Sequence, residues 1–258
     1  NMKYPIILVH GLAIKNYKFI KSFGNIEKIL KENGFKVYTS NQDGFGSIEN
    51  NANQLKDEIN KIIEEEQCEK VNVIAHSKGG LDIKYMIEHL EMVDKIASFT
   101  TLCTPFKGSI VASLMLKLPN IIKKPLAFIL NFWYKIFKDK KPDALKACEQ
   151  LKKIDKLEIE TLKVPNTIYC QSYYTELKKT KDDFIMGIPL QFSIYFEHDT
   201  SDGLVSEESS KFGDFKGIAI DDTISHKDIV DFYPNKKKKE KIYSFYIELC
   251  KELEDLGF

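Results

Sequence analysis

The sequence predicts an α/β fold: a mostly parallel central sheet of about six strands with helices on both faces. Three observations carry that expectation. Short, continuously apolar runs alternate with amphipathic helical stretches through the first half of the chain. An apolar run without polar alternation suits a strand buried on both faces, and a repeated strand–helix–strand rhythm makes a parallel sheet. One such run ends in a tight turn around a serine that leads directly into a helix. Finally, 258 residues with 43% hydrophobic content and zero formal net charge can bury a sizeable core, which argues against disorder.

The elements follow in order. Ile6-Ile7-Leu8-Val9 is the first buried strand. Ile26, Ile29 and Leu30 line one face of a short helix that Gly34 stops, and Phe35 to Ser40 is the second strand. Leu55, Ile59, Ile62 and Ile63 form a helical stripe on an otherwise acidic segment. Val71 to Ala75 is the third strand, Gly79 to Leu90 a helix, and Ile96 to Cys103 the fourth strand. From Ser109 to about Glu160 the rhythm breaks into a mainly helical stretch rich in Leu, Ile, Phe and Lys. Strands are expected again at Thr167 to Tyr173, Gln191 to Phe196 and Gly217 to Ile220. A closing helix presents Ile242, Phe245, Tyr246, Leu249 and Leu253. The expected organisation is a single domain over residues 1–258, with a helical insertion at about 109–160. The run Lys236 to Lys239 is the sole low-complexity feature.

With 38 basic and 38 acidic residues, nothing supplies the positive surplus that nucleic-acid binding by bulk charge requires. The zero hides a polarised distribution. Residues 109–141 hold seven lysines against one aspartate, and Glu49 to Glu69 hold seven acids against two lysines. The five cysteines are odd in number and widely spaced, which fits free buried thiols better than disulfides or a zinc site. No signal peptide is visible, so the expected location is cytoplasmic; secretion would need a leader that this sequence does not include. The longest apolar run, Pro125 to Phe137, is too short to span a bilayer.

The sharpest signal is Val71-Asn-Val-Ile-Ala-His-Ser-Lys-Gly-Gly80. A buried strand, a small-x-Ser-x-Gly turn and a helix in succession form a nucleophile elbow. Ala75 and Gly79, two residues either side of Ser77, are small enough for strand and helix to pass closely. Ser77 would then stand at the C-terminal edge of the sheet, where a helix N-terminus favours developing negative charge. An acyl-transfer serine also needs two backbone N–H donors. Lys78, directly after the nucleophile, supplies one. His10-Gly11-Leu12 follows the first strand, and the N–H of Leu12 is the natural second.

Five histidines compete for the role of base. His10 and His76 belong to the motifs just described, His89 lies inside the helix after the elbow, and His198 precedes an acid. The chain order nucleophile, acid, histidine favours His226. For the acid, Asp202 in Asp-Gly-Leu-Val is preferred. Asp199 is the fallback, and Asp221 and Asp222 are further competitors.

Together these residues resemble the α/β-hydrolase superfamily, and more narrowly the bacterial triacylglycerol lipases, over most of the chain. Tyr4-Pro-Ile-Ile-Leu-Val-His-Gly-Leu12 resembles their opening strand and oxyanion loop. Ala52-Asn-Gln-Leu55 resembles the start of their first long helix, and Ala75-His-Ser-Lys-Gly-Gly-Leu-Asp82 their elbow. Phe99-Thr-Thr-Leu-Cys-Thr-Pro-Phe-Lys-Gly-Ser109 resembles the stretch leading into their lid. Asp202-Gly-Leu-Val205 and Ser225-His-Lys-Asp228 resemble their catalytic acid and histidine loops.

The resemblance implies the α/β-hydrolase fold with a helical lid, and a Ser77–Asp202–His226 triad with oxyanion donors Leu12 and Lys78. It implies hydrolysis of lipid or other carboxylic esters through an acyl-enzyme, with thioesterase, acyltransferase or amidase chemistry, or a non-catalytic binding module, as alternatives. Contact with a lipid interface through the lid is a further expectation; the oligomeric state is left open. No cofactor is required. Related lipases often hold a structural Ca²⁺ with an aspartate two residues past the histidine. Asp228 matches that position, with Asp182, Asp183 or Asp231 as further ligands. Phe106 stands where the family usually has His.

Overall fold

A computed structural model describes residues 1–11, 21–136, 139–152 and 162–258 of the chain. Six strands form one sheet: β1 (Ile6–Val9), β2 (Val37–Thr39), β3 (Val71–His76), β4 (Ile96–Leu102), β5 (Tyr169–Glu176) and β6 (Asp214–Thr223). Their order is β2-β1-β3-β4-β5-β6, and every adjacent pair is parallel. The helices on the sheet faces are α1 (Ile26–Glu32), α2 (Ile48–Glu66), α3 (Lys78–His89) and, at the C-terminal end, α9 (Lys236–Asp255). Between β4 and β5 lie α4 (Ile110–Leu116), α5 (Asn120–Ile136) and α6 (Ala144–Leu151). Between β5 and β6 lie α7 (Gly187–Glu197) and the short α8 (Glu207–Ser210).

Strand pleating explains why the apolar runs are continuous. Successive side chains point to opposite faces, and both faces are covered. Ile6 and Leu8 pack with Ile26 and Leu30 of α1 and with Ile242 and Leu249 of α9. Ile7 and Val9 pack with Leu55 and Ile59 of α2 and with Ile83 and Ile87 of α3. Each such fully buried aliphatic side chain contributes about 1.5–3 kcal/mol.

Two expectations need correction. Gln191 to Phe196 is not a strand but part of α7. An apolar run of this length carries no period that separates a buried strand from a helix, and Pro189 sits in the first helical turn, where its missing N–H leaves no bond unmade. The sixth place in the sheet belongs to β6, which is longer than the expected Gly217 to Ile220.

The insertion is helical where it is described, and Phe137, Lys138 and residues 153–161 fall outside. The segment after α5 is tied to the loop before α2. The Asp139 carboxylate accepts the N–H groups of Gly44 and Phe45, both at 2.9 Å. The Asp43 carboxylate accepts those of Lys140 and Lys141, both at 2.7 Å. Phe45 also stacks on Tyr134 of α5, with ring centroids 4.9 Å apart.

A parallel sheet collects all its strand C-termini along one edge. In the order β2-β1-β3 the connections leave β1 and β3 in opposite directions. The crevice this opens above the strand ends is where α/β sheets bind ligands, and the loop after β1 and the elbow after β3 both meet there.

Candidate active site

The elbow is built as its residue sizes demand. Ser77 has φ 54° and ψ −134°, a strained conformation for a non-glycine residue that costs on the order of 1–3 kcal/mol. Its backbone is clamped: the N–H donates to the Leu102 carbonyl at 2.9 Å, and the Thr104 hydroxyl donates to the Ser77 carbonyl at 2.8 Å. A methyl group on Gly79 would lie 2.3 Å from the His10 carbonyl oxygen. One on Gly11 would lie 2.7 Å from Ser77 Cβ and 3.1 Å from the Lys78 nitrogen. The end of β1 therefore abuts Ser77 and the start of α3. Lys78 is the first residue of α3, so its N–H has no helical partner. Leu12, the other expected donor, lies outside the described residues.

The structure brings Ser77, His226 and Asp202 together from three distant segments. His226 Nε2 lies 2.9 Å from Ser77 Oγ, and its Nδ1 lies 2.5 Å from Asp202 Oδ2. The other carboxylate oxygen, Asp202 Oδ1, accepts the N–H groups of Leu204 and Val205 at 2.9 and 2.8 Å. The His226 N–H donates to the Asp202 carbonyl at 3.0 Å. Asp202 is completely buried and His226 nearly so. The competing acids are engaged elsewhere. Asp199 accepts from the N–H groups of Thr200 and Glu208, while Asp221 and Asp222 pair with Lys178 and Lys241. Phe106, in place of the expected His, is buried and stacks on Phe212 at 4.4 Å.

Several contributors escaped the sequence. The Lys78 side chain is fully buried against Asp82, with Nζ 2.7 Å from Oδ1. Burial pushes the Asp82 carboxyl upward against the pull of Lys78. Asn51 Nδ2 donates to its second oxygen at 3.1 Å, and Gln42 also bonds to it. Gln42 Nε2 in turn donates to the His10 carbonyl at 2.7 Å. This network connects α3, which starts at the elbow, to the loop after β1. Close to Asp202 and His226 lies Cys103, in the left-handed region at φ 52°. Its Sγ is 3.3 Å from Thr175 Oγ1, and Sγ, an Asp202 oxygen and a His226 nitrogen lie within 4.8 Å of one another. Burial first, and then the Asp202 charge, raise the thiol well above its ordinary pKa. It therefore stays protonated.

The His76 and His226 rings lie with centroids 4.5 Å apart, tilted by 44° to one another. Burial, then the nearby His226, hold its pKa well below 6.5, so no second cation opposes protonation of His226. The unfolded chain accepts this proton more readily than the fold. The His76 contribution is therefore intact above about pH 6.5 and is lost as the pH falls from there toward the depressed folded value. We expect Tm to drop on the acid side of pH 6.5, with a shallower drop in His76→Phe. Thermal melts between pH 7 and 5 measure the two slopes, and equal slopes would remove His76 as the cause.

Residues 5–182 match a family model described as palmitoyl protein thioesterase. Triacylglycerol lipase 2 of Saccharomyces cerevisiae is 27% identical over 263 residues, taking in 90% of this chain and 73% of that protein. A triacylglycerol lipase of Pseudarthrobacter phenanthrenivorans is 36% identical over 112 residues, covering 42% of this chain and 34% of its own length. The chain thus spans about a third of that bacterial relative. Among solved structures, a metagenomic carboxyl esterase superposes with TM-score 0.72 at 16% identity, over 98% of this chain and 76% of that one. The mature form of a Bacillus licheniformis lipase superposes with TM-score 0.66 at 17% identity, over 96% and 92%. At these identities the structural likeness speaks for the fold.

Proposed function

Because the chain belongs to the palmitoyl protein thioesterase family, within the α/β-hydrolase superfamily, we propose that it is a serine hydrolase acting on carboxylic esters of lipids. The observation that carries this is the unbroken hydrogen-bonded line Ser77–His226–Asp202. His226 Nε2 takes the Ser77 proton as Oγ attacks the ester carbonyl. Asp202 holds the imidazole by Nδ1 and stabilises its cationic form. The oxyanion is received by the N–H groups of Lys78 and Leu12. His226 returns the proton to the departing alcohol, leaving an acyl group on Ser77. Water, deprotonated by His226, then releases the acid.

Lipid substrates are favoured by the lipase names of the relatives and by the apolar surface of the insertion. In α5, Ile121 is 83% and Phe128 73% exposed, and before α7 Phe184 is 94% exposed. Lys123, Lys124 and Lys135 accompany them on α5. We read the α5 segment as a lid that meets a lipid surface, its lysines attracted to anionic headgroups. Among the described residues no helix is long and apolar enough to cross a membrane.

A second reading, thioester hydrolysis, is favoured by the description of the matching family model. One experiment separates the readings. Rates are measured on p-nitrophenyl esters from acetate to palmitate, with and without anionic vesicles, and on a palmitoyl thioester. Highest kcat/KM on long-chain oxygen esters, activated by vesicles, is the expected result. Preference for the thioester would favour the second reading, and a short-chain optimum without activation would remove the lid proposal. Replacing Lys123, Lys124 and Lys135 by Gln is expected to weaken vesicle binding while sparing soluble short-ester turnover.

A further inference from the structure

The loop that carries His226 is held by a buried cluster of charges. Asp228, two residues further on, is 1% exposed, and Asp183, from the segment after β5, is 6% exposed. Asp183 Oδ1 accepts the N–H groups of Ile185 and Met186, both at 3.0 Å. Its Oδ2 accepts the Ser225 hydroxyl at 2.7 Å and pairs with Lys227 Nζ at 3.1 Å. Asp228 Oδ1 lies 3.3 Å from Lys227 Nζ. Asp228 Oδ2 accepts the Ser225 N–H at 3.1 Å and the Lys238 ammonium at 2.9 Å. Ser225, the residue immediately before His226, is therefore gripped on both sides.

The family resemblance suggests a calcium ion for this region, and the donor set does not fit one. Calcium takes six to eight oxygens, whereas the oxygens of Asp183 and Asp228 are already partnered, two of their partners being ammonium groups. The two carboxylates and two ammoniums are electrically balanced. The other proposed ligands are engaged elsewhere. Asp182 Oδ2 accepts from the Lys179 N–H and the Thr223 hydroxyl. Asp231 Oδ2 accepts from the Asn25 N–H and the Tyr243 hydroxyl, and its buried Oδ1, which has no hydrogen-bond partner among the described residues, is a single oxygen where calcium needs six or more. Among the described residues, the ligand atoms of three His, Cys, Asp or Glu gather only around Cys103, Asp202 and His226.

Lys238 is unusual in its own right. It lies in the first turn of α9, within a run of four lysines and with no acid in that turn. A positive charge there opposes the helix dipole, and the Lys238 side chain is 6% exposed. A buried cation at a helix N-terminus needs an anion to hold it, and Asp228 is that anion.

We infer that the Lys238 ammonium, joined by Lys227, is a positioning group that takes the place of a divalent cation in anchoring the His226 loop. Lys238 fixes Asp228, Asp228 fixes the backbone of Ser225, and Ser225 sets the neighbouring His226 between Ser77 and Asp202. The consequence for turnover rests on the hydrolase reading above; the consequence for stability does not.

The test measures Tm and short-ester kinetics of the full chain, with EDTA or with millimolar CaCl₂. The wild-type protein is expected to show the same Tm and kcat in both. Lys238→Met is expected to lower Tm on the order of 10 °C by leaving the buried carboxylates of Asp228 and Asp183 to share the Lys227 ammonium. It should also lower kcat about tenfold with KM little changed, and Lys238→Arg should restore most of both. The double variant Lys238→Met/Asp228→Asn, which rebalances the charge, should recover most of the Tm. A wild-type Tm or kcat that falls in EDTA and returns with CaCl₂ would overturn the inference. So would Lys238→Met with unchanged Tm, or with lowered Tm but unchanged kcat. Absence of esterase activity in the wild type would instead count against the hydrolase reading, and the Tm comparisons would still decide the role of Lys238.

Discussion

Ser77→Ala is expected to abolish measurable turnover, lowering kcat on a soluble p-nitrophenyl ester by on the order of 10⁴-fold or more. The alanine keeps the fold, because what holds the elbow is backbone: the Ser77 N–H to Leu102 and the Thr104 hydroxyl to the Ser77 carbonyl. Asp202→Asn is expected to cost about 10⁴ in kcat by a different route. The amide oxygen can replace Oδ1 in accepting from Leu204 and Val205. That leaves the amide nitrogen, a donor, facing His226 Nδ1, so the imidazole must take the tautomer that cannot accept the Ser77 proton. Since the three residues act as one unit, the double variant should be little slower than Ser77→Ala alone. Matching thermal melts would show that chemistry rather than folding has been lost. Retention of more than a tenth of wild-type kcat by Ser77→Ala, with no contaminating esterase, would end the nucleophile assignment.

A large loss of stability is expected from Lys78→Met. The Lys78 and Asp82 side chains are 0% and 1% exposed, so removing the ammonium strands a carboxylate in the interior. That costs roughly 3–5 kcal/mol, a fall in Tm on the order of 10 °C for a chain of this size. Replacing both residues removes the uncompensated charge, so Lys78→Met/Asp82→Leu should recover most of the loss. Denaturant melts of the single and double variants measure the coupling. A single-variant loss below about 1 kcal/mol, the range of exposed pairs, would mean that water reaches the site and that the pair does not brace the elbow.

What could be read from the sequence was local. The apolar runs named four strands on both sides of the elbow, since a strand buried on two faces needs an uninterrupted apolar stretch. The elbow itself is encoded within Val71 to Gly80, where small residues at 75 and 79 are required by a close strand–helix crossing. The order Ser77, Asp202, His226 was also legible, because chain order is a sequence property. Gln191 to Phe196 was misread because a short apolar run is compatible with either element. Lys236 to Lys239 reads in the sequence as a low-complexity run; its opposition to the helix dipole is the signal that one member needs a buried partner.

Local patterns in the chain specify the fold class, the elbow and a short list of acids and bases. The tertiary structure alone decided which of them meet. His226 bonds to residues 149 and 24 positions away, and nothing in spacing distinguishes Asp202 from Asp199, Asp221 or Asp222. Convergence is set by the sheet, whose parallel strands end along one edge and whose switch between β1 and β3 opens the crevice there. The same holds for the buried pairs Lys78–Asp82 and Lys238–Asp228. A lysine reads as a surface residue until packing shows that its carboxylate partner has been taken out of water with it.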